Sequence, residues 1–136
     1  MKFGVTLLAD DLGKLGERAR LAEGIGFEYI GVADSQSLFR ELYVSLAVVA
    51  QATNHARIGP TVTNPLTRHP AVTSSAIASI DELSHGRAFL GIGSGDSAVL
   101  NLNLRPARMS QVKEYVQAVR THLSGDSYSY QGRATH

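Results

Sequence analysis

Two kinds of hydrophobic pattern alternate along this chain. Short continuous apolar runs are too brief for helices and are typical of strands buried on both faces; they occupy residues 3–8, 29–32, 56–62 and 88–92. Elsewhere apolar residues recur three and four positions apart, which places them on one face of a helix. This spacing predicts four helices, at residues 12–25, 40–53, 70–83 and 109–123.

Residues that favour helix ends stand at the predicted boundaries. Asp10 or Asp11 can cap the first helix, and Pro70 is suited to the first position of the third. Gly125 ends the fourth helix. A polar tail, residues 126–136, follows and is expected to form a hairpin arm or to fray.

The regular alternation of strands and helices predicts an α/β fold. A strand, a crossover helix and a second strand in the same sheet give parallel strands with right-handed connections. Two architectures satisfy this pattern, an open doubly wound sheet and a closed eight-fold barrel. In both, the loops that carry the chemistry follow the carboxyl ends of the strands.

Composition is typical of one globular domain spanning residues 1–136, with 43% hydrophobic and 18% charged residues. A net charge of +1 argues against nucleic acid or an anionic membrane as a partner. The chain has no cysteine and no long apolar run, so we expect a cytoplasmic protein without a signal peptide or membrane span. The histidines lack metal-ligand spacing, and no metal site is predicted.

The turn after the third apolar run is one candidate binding loop. It reads Thr61, Val62, Thr63, Asn64 and Pro65. Two hydroxyls and an amide beside a strand end can hydrogen-bond the edge of a heterocycle, whereas Asn-Pro is also an ordinary turn signal. Arg68 follows, either as a ligand for an anionic group or as a solvated loop residue.

The turn after the fourth apolar run is the second candidate. It contains Gly91, Gly93, Ser94, Gly95 and Asp96. Its spacing does not fit a dinucleotide fingerprint, because no helix with a third glycine opens at once. Residues without side chains let a ring or phosphate approach the backbone, and Asp96 supplies a carboxylate. The alternative is a tight turn in which Asp96 caps locally.

Asp34 ends the second predicted strand at the same edge of the sheet. An acid at such a strand end is often functional in a barrel, although it can equally cap the following helix.

The sequence around these loops resembles the luciferase-like monooxygenase superfamily. Residues 62–96 read VTNPLTRHPAVTSSAIASIDELSHGRAFLGIGSGD, and residues 26–34 read GFEYIGVAD. Both segments resemble the branch that uses the deazaflavin coenzyme F420, which includes the methylenetetrahydromethanopterin reductases. The similarity extends to about residue 123.

The resemblance implies a (β/α)8 barrel that binds a flavin or deazaflavin at the carboxyl ends of its strands. It implies a cis peptide bond between Thr61 and Val62, forming a bulge that backs the ring. It assigns catalytic positions to Asp34 and Asp96. The cofactor-binding positions that it implies are Thr61, Val62, Thr63, Asn64, Gly93, Ser94, Gly95 and Asp96. The expected cofactor is F420, with FMN as the alternative.

Five positions differ from the pterin reductases. Thr6 replaces an acidic residue, Ser35-Gln36 replaces a histidine and an aromatic residue, Thr61 replaces glycine and Ser94 replaces proline. These differences indicate another small-molecule substrate and affect the cofactor assignment less.

A barrel of this kind has about 250 residues, whereas this chain holds four predicted strand–helix units. It therefore represents the N-terminal half of a barrel, either a truncated portion with little turnover or a half barrel that pairs as a homodimer. Three functions remain: an F420-dependent oxidoreductase acting on a small organic substrate, an FMN-dependent monooxygenase, and a non-catalytic flavin-binding half barrel.

Overall fold

Three parallel strands, each followed by a helix, form the first two-thirds of the fold. The computed structural model describes residues 1–135. In chain order the elements are β1 Gly4–Leu7, α1 Leu12–Gly24, β2 Tyr29–Val32, α2 Leu42–Ala52, β3 Arg57–Pro60, α3 Pro70–Leu83, α4 Ser97–Leu100, α5 Met109–Leu123, β4 Tyr128–Tyr130 and β5 Arg133–Thr135. The predicted α/β alternation is confirmed for these first three units. The short α4 was not predicted.

The sheet has the order β1-β2-β3, with all strands parallel. Val5 pairs with Ile30, which pairs with Ile58. Side chains from this row pack on α1, α2 and α3 in one apolar core. Alternate residues point to the other side of a strand, and on β1 Gly4 and Thr6 are exposed there. One side of the sheet is therefore covered by helices, whereas on the other side β1 is exposed and Gly31 and Gly59 are buried.

The predicted fourth strand does not form as a regular strand. Residues 88–92 bind β3 through two isolated parallel bridges, Ile58 to Ala88 and Thr63 to Ile92. Five steps along the chain separate Ile58 from Thr63, but only four separate Ala88 from Ile92. One extra residue on the β3 side bulges out and interrupts the ladder. The prediction of four regular strand–helix units is accordingly only partly right.

The chain ends in a two-stranded antiparallel hairpin that packs on α5. β4 pairs with β5, and Gln131 and Gly132 make the turn with positive φ angles. Tyr130 is buried against Tyr115. The last residue of the predicted tail, His136, lies outside the described residues. Among residues 1–135, no helix is long and apolar enough to cross a membrane.

The carboxylate of Glu23 ties α1 to the loop before β3. It accepts hydrogen bonds from the backbone N–H groups of Asn54, His55 and Ala56, at distances from 2.6 to 3.0 Å. Burial alone would raise the pKa of Glu23, but these three bonds outweigh burial and lower it. Glu23 therefore stabilises the fold in its ionised form.

Stability is expected to fall in acid as Glu23 takes up a proton. Because the pKa of Glu23 is lower in the folded chain than the usual value of about 4.3, its contribution is complete above that value and is lost as the pH falls through the folded pKa. Urea unfolding at pH 7 and pH 3 measures this. Glu23→Gln should unfold at lower urea concentration than wild type at pH 7, with a smaller difference at pH 3. Glu17→Gln changes an exposed residue of the same helix. It should unfold at nearly the same urea concentration as wild type at both pH values.

Candidate functional site

A cavity of ≈ 350 Å³ opens at the carboxyl ends of β2 and β3. Three separate segments contribute its walls: residues 33–39, 61–64 and 93–98. Eight residues predicted for the site line it: Asp34, Thr61, Val62, Asn64, Gly93, Ser94, Gly95 and Asp96. The ninth, Thr63, lies behind the wall and is fully buried. The two candidate loops therefore share one cavity.

Backbone hydrogen bonds hold the two candidate loops side by side. The N–H of Thr63 donates to the carbonyl of Gly91 at 3.0 Å, and the N–H of Gly93 donates to the carbonyl of Thr63 at 2.9 Å. On the opposite wall the hydroxyls of Ser35 and Ser97 are 2.8 Å apart. These contacts close a ring of loops around the cavity.

The bulge after β3 places the side chain of Val62 beside the glycine-rich loop. The peptide bond between Thr61 and Val62 is cis, as the resemblance implied. Val62 is 50% exposed. A Cβ atom on Gly93 would lie 2.9 Å from Cγ2 of Val62, closer than such contacts permit. The missing side chain at Gly93 therefore makes room for Val62.

Gly95 serves as a tight turn, which was the alternative interpretation of this loop. Its φ angle is +102°, and a Cβ atom there would lie 2.4 Å from Cγ2 of Val99. Only glycine adopts such a backbone without strain. The loop thus uses one glycine for its turn and another to accommodate Val62.

The carboxylate of Asp34 is held by an ion pair rather than left free. Nη1 and Nη2 of Arg68 donate to its two oxygens at 2.6 and 3.3 Å, and Oγ1 of Thr63 donates to Oδ2 at 2.7 Å. The Asp34 side chain is 3% exposed. Asp34 does not cap α2, because Glu41 occupies that position and accepts from the N–H of Val44.

Arg68 is a largely buried ion-pair residue with 16% of its side chain exposed, so the interpretation as a solvated loop arginine is wrong. Nη2 also donates to Oε1 of Glu41 at 2.8 Å, and the guanidinium carbon lies 5.3 Å from the ring centre of Tyr43. Burial would lower the pKa of Arg68, but its bonds to Asp34 and Glu41 outweigh burial and raise it. Burial raises the pKa of Tyr43 to about 12, which keeps that phenol neutral.

Glu41 and Tyr43 were not predicted as part of this cluster. Neither carries a local signal, since Glu41 reads as an ordinary helix-start residue and Tyr43 as one more apolar position of α2. Their role follows from where the turn after β3 brings Arg68.

The side chain of Asn64 organises its own turn. Oδ1 accepts from the N–H groups of Leu66 and Thr67 at 2.9 and 3.1 Å, and Nδ2 donates to Oγ1 of Thr67 at 3.1 Å. Asn64 is also buried. The turn interpretation of Asn-Pro therefore holds. Asn64 lines the cavity, but its side-chain amide is already used in the hydrogen bonds of the turn.

Asp96 is exposed at the mouth of the cavity. It stands at the N-cap position of α4, but its side chain makes no capping hydrogen bond. The carbonyl of Asp96, not its carboxylate, accepts from Val99 and Leu100. Of the two carboxylates on the cavity wall, that of Asp34 is fully engaged and that of Asp96 remains available.

His69 is structural, as expected at the start of α3. Its Nδ1 accepts from the N–H of Ala71 at 3.2 Å, and its ring meets Tyr130 edge-on. Within residues 1–135, no group of three or more His, Cys, Asp or Glu side chains could hold a metal ion.

The cavity fits an uncharged planar ring better than an anionic group. No lysine or arginine lines it, and Arg68 behind it is already paired with two carboxylates. Its volume lies within the range of small-molecule sites, about 300–1,000 Å³. A ring can rest on the apolar side chain of Val62, while an anionic tail would find no cation on this wall.

The sequence profile of the luciferase-like monooxygenases matches residues 1–136. The chain is 36% identical to the 5,10-methylenetetrahydromethanopterin reductase of Methanolobus tindarius, over 97% of this chain and 41% of that protein. The solved coenzyme F420-dependent tetrahydromethanopterin reductase of Methanopyrus kandleri superposes with a TM-score of 0.87 at 29% identity, over 99% of this chain and 44% of that one.

A second solved structure shares the fold at lower identity. The FMN complex of the oxygenating constituent of 3,6-diketocamphane monooxygenase from Pseudomonas putida superposes with a TM-score of 0.81 at 17% identity, over 99% of this chain and 43% of that one. The chain thus spans about two-fifths of the length of the proteins it matches.

Proposed function

Because the chain belongs to the luciferase-like monooxygenase family, we propose that its cavity holds the ring of coenzyme F420 and that the protein moves a hydride between F420 and a small organic substrate. One observation carries this proposal: three segments far apart in sequence converge on a single cavity, lined by no lysine or arginine, beside a bulged strand. The remaining length of the relatives would supply the sites for the cofactor's anionic tail.

The names of the relatives favour F420 over FMN. The solved relative at 29% identity is called F420-dependent, whereas the FMN complex, at 17% identity, shares only the fold. An FMN-dependent monooxygenase is the second candidate, since that complex shows that this fold can hold FMN.

The residues of this chain would position the ring rather than react with it. Val62 offers an apolar contact to one face, leaving the other face open to substrate. Asp34, fully paired with Arg68 and Thr63, fixes the loops and is a positioning residue. Asp96, exposed and uncapped, is the carboxylate able to accept a hydrogen bond or proton from a ligand. The deazaflavin itself supplies the hydride chemistry.

Fluorescence titration of the chain with F420 and, separately, with FMN tests the cofactor assignment. Tighter binding of F420 supports the proposal, and tighter binding of FMN supports the second candidate. If neither titration saturates even when these residues are part of a complete barrel, the cavity is not the ring site. Steady-state turnover is expected to be slight, because this chain spans only 41% of its relative; binding without any substrate-dependent redox change would favour a non-catalytic flavin-binding module.

Asp96→Ala is expected to weaken F420 binding about tenfold, the effect of losing one hydrogen bond to a charged group. Glu17→Ala removes an equal charge from the exposed surface of α1 and should leave the affinity unchanged. Asn64→Ala should also weaken binding, but through its turn, and should therefore lower the urea midpoint as well. Unchanged affinity in both Asp96→Ala and Asn64→Ala would remove these loops from the site.

A further inference from the structure

The side chain of Thr61 crosses β2 to reach Thr6. The two hydroxyl oxygens are 3.0 Å apart, within hydrogen-bond distance, although 55 positions separate the residues in the chain. Thr6 lies on β1 and Thr61 directly follows β3, with β2 between those strands. The register partner of Thr6 on β2 is Gly31, and a Cβ atom there would lie 2.2 Å from both Oγ1 and Cγ2 of Thr61. The missing side chain at Gly31 therefore leaves the space in which the two threonines meet.

Val62, the residue after Thr61, fits between two further glycines. A Cβ atom on Gly91 would lie 3.2 Å from Cγ1 of Val62, and one on Gly93 would lie 2.9 Å from Cγ2. Thr61 and Val62 both line the cavity, whereas Thr6 does not. Any influence of Thr6 on a ligand in the cavity must therefore pass through Thr61.

We propose that Thr6 is a positioning residue for the ring held in the cavity. Its hydroxyl fixes one staggered rotamer of Thr61, and Thr61 in turn fixes the backbone from which Val62 projects. The ring would rest on Val62, so a shift of that side chain would change its contact with the ring. This inference deepens the proposed function and rests on it only for the presence of a ring.

The contact joins two positions at which this chain was expected to differ from the pterin reductases. A glycine at position 61 has no hydroxyl with which residue 6 could share a hydrogen bond, so the two threonines act as one unit. The effects of residues in direct contact are generally not additive. Thr6→Val should therefore have no further effect on F420 affinity in a Thr61→Val background.

Two replacements at position 6 separate positioning from stability, with F420 affinity measured by fluorescence titration. Thr6→Val keeps the β-branched shape that favours strands but removes the hydroxyl. It should keep the urea midpoint of wild type and weaken F420 binding about fivefold, the effect of losing one ordinary hydrogen bond. Thr6→Ser keeps the hydroxyl and loses a methyl group, so it should unfold at lower urea concentration yet bind F420 as wild type does. Thr121→Val, on α5 and outside the cavity wall, should leave the affinity unchanged.

Nuclear Overhauser effects in the cofactor-free chain test the geometry itself. Cross-peaks between the methyl groups of Val62 and the α-protons of Gly91 and Gly93 should be present in wild type and in Thr6→Ser, and they should weaken in Thr6→Val. These cross-peaks do not depend on F420, so the positioning role is tested even if the redox proposal fails.

Three results would overturn the positioning role. Unchanged Val62 cross-peaks in Thr6→Val would show that Thr61 needs no partner to hold its place. Equal losses of affinity in Thr6→Ser and Thr6→Val would show that the hydroxyl is not the group that matters. Additive losses in the variant that carries both Thr6→Val and Thr61→Val would show that the two hydroxyls act separately.

Discussion

Replacing Arg68 by alanine is expected to lower the free energy of unfolding by about 3–5 kcal/mol, the usual cost of leaving one partner of a buried ion pair without the other. The Asp34 side chain is 3% exposed and would keep only its bond from Thr63. Glu41 and the ring of Tyr43 would lose their cation as well. Since natural domains are stable by only about 5–15 kcal/mol, this change should remove a large part of the total.

Urea unfolding followed by circular dichroism measures the effect of Arg68→Ala. Arg40→Ala provides the matched control, because Arg40 is an exposed arginine of the preceding loop and should change stability by less than about 0.5 kcal/mol. Arg68→Lys should fall between the two, since an ammonium keeps the charge but cannot bind both oxygens of Asp34 as the planar guanidinium does. Equal stability of Arg68→Ala and Arg40→Ala would show that the cluster does not hold the loops.

Replacing Arg87 by alanine is expected to cost about 3 kcal/mol, since hydrogen bonds from a charged donor contribute about 1.5–3 kcal/mol each and do not add in full. Arg87 joins the end of α2 to the start of the 88–92 segment. Its guanidinium donates five hydrogen bonds of 2.7 to 3.1 Å, to the carbonyls of Ser84, Ala56, Thr53 and Ala50 and to the hydroxyl of Thr53. Carbonyls at a helix end have no partner within the helix. Removing the guanidinium would therefore leave the carbonyls of Ala50 and Thr53, at the end of α2, without the hydrogen bonds that Arg87 donates.

The control for Arg87 is Arg57→Ala, because Arg57 is exposed and donates a single hydrogen bond, to Ala88. Thermal unfolding should show a much smaller decrease in midpoint for Arg57→Ala than for Arg87→Ala. Arg87→Lys should recover only part of the loss, because one ammonium cannot reach both the carbonyl of Ala50 in α2 and that of Ser84 after α3. A midpoint for Arg87→Ala as high as that of Arg57→Ala would contradict this role.

Helix and strand positions were predictable because their signals are local. The apolar spacing of residues 12–25 and 109–123 is a property of each segment alone, and it predicted α1 and α5 to within one residue at either end. The 88–92 segment was predicted as a regular strand because its residues form a short continuous apolar run. Its irregular pairing depends on the extra residue in the β3 side, which no pattern within residues 88–92 records.

The meeting of the two candidate loops was also accessible from sequence. Consecutive parallel strands place the loops that follow them at one edge of a sheet, and residues 61–64 and 93–98 indeed line one cavity. The position of the cis peptide bond, between Thr61 and Val62, came from the family resemblance and not from any rule of spacing.

Only the tertiary structure determined which partner each charged side chain binds. Arg68 binds Asp34 across 34 residues and Glu41 across 27, and such distances leave no periodic trace along the chain. The same is true of the contrast between Asp34, which is buried and paired, and Asp96, which is exposed and free. Hydrophobic periodicity reports which face of an element is buried, whereas the partner of a charged group depends on which loops packing brings within about 3 Å of it.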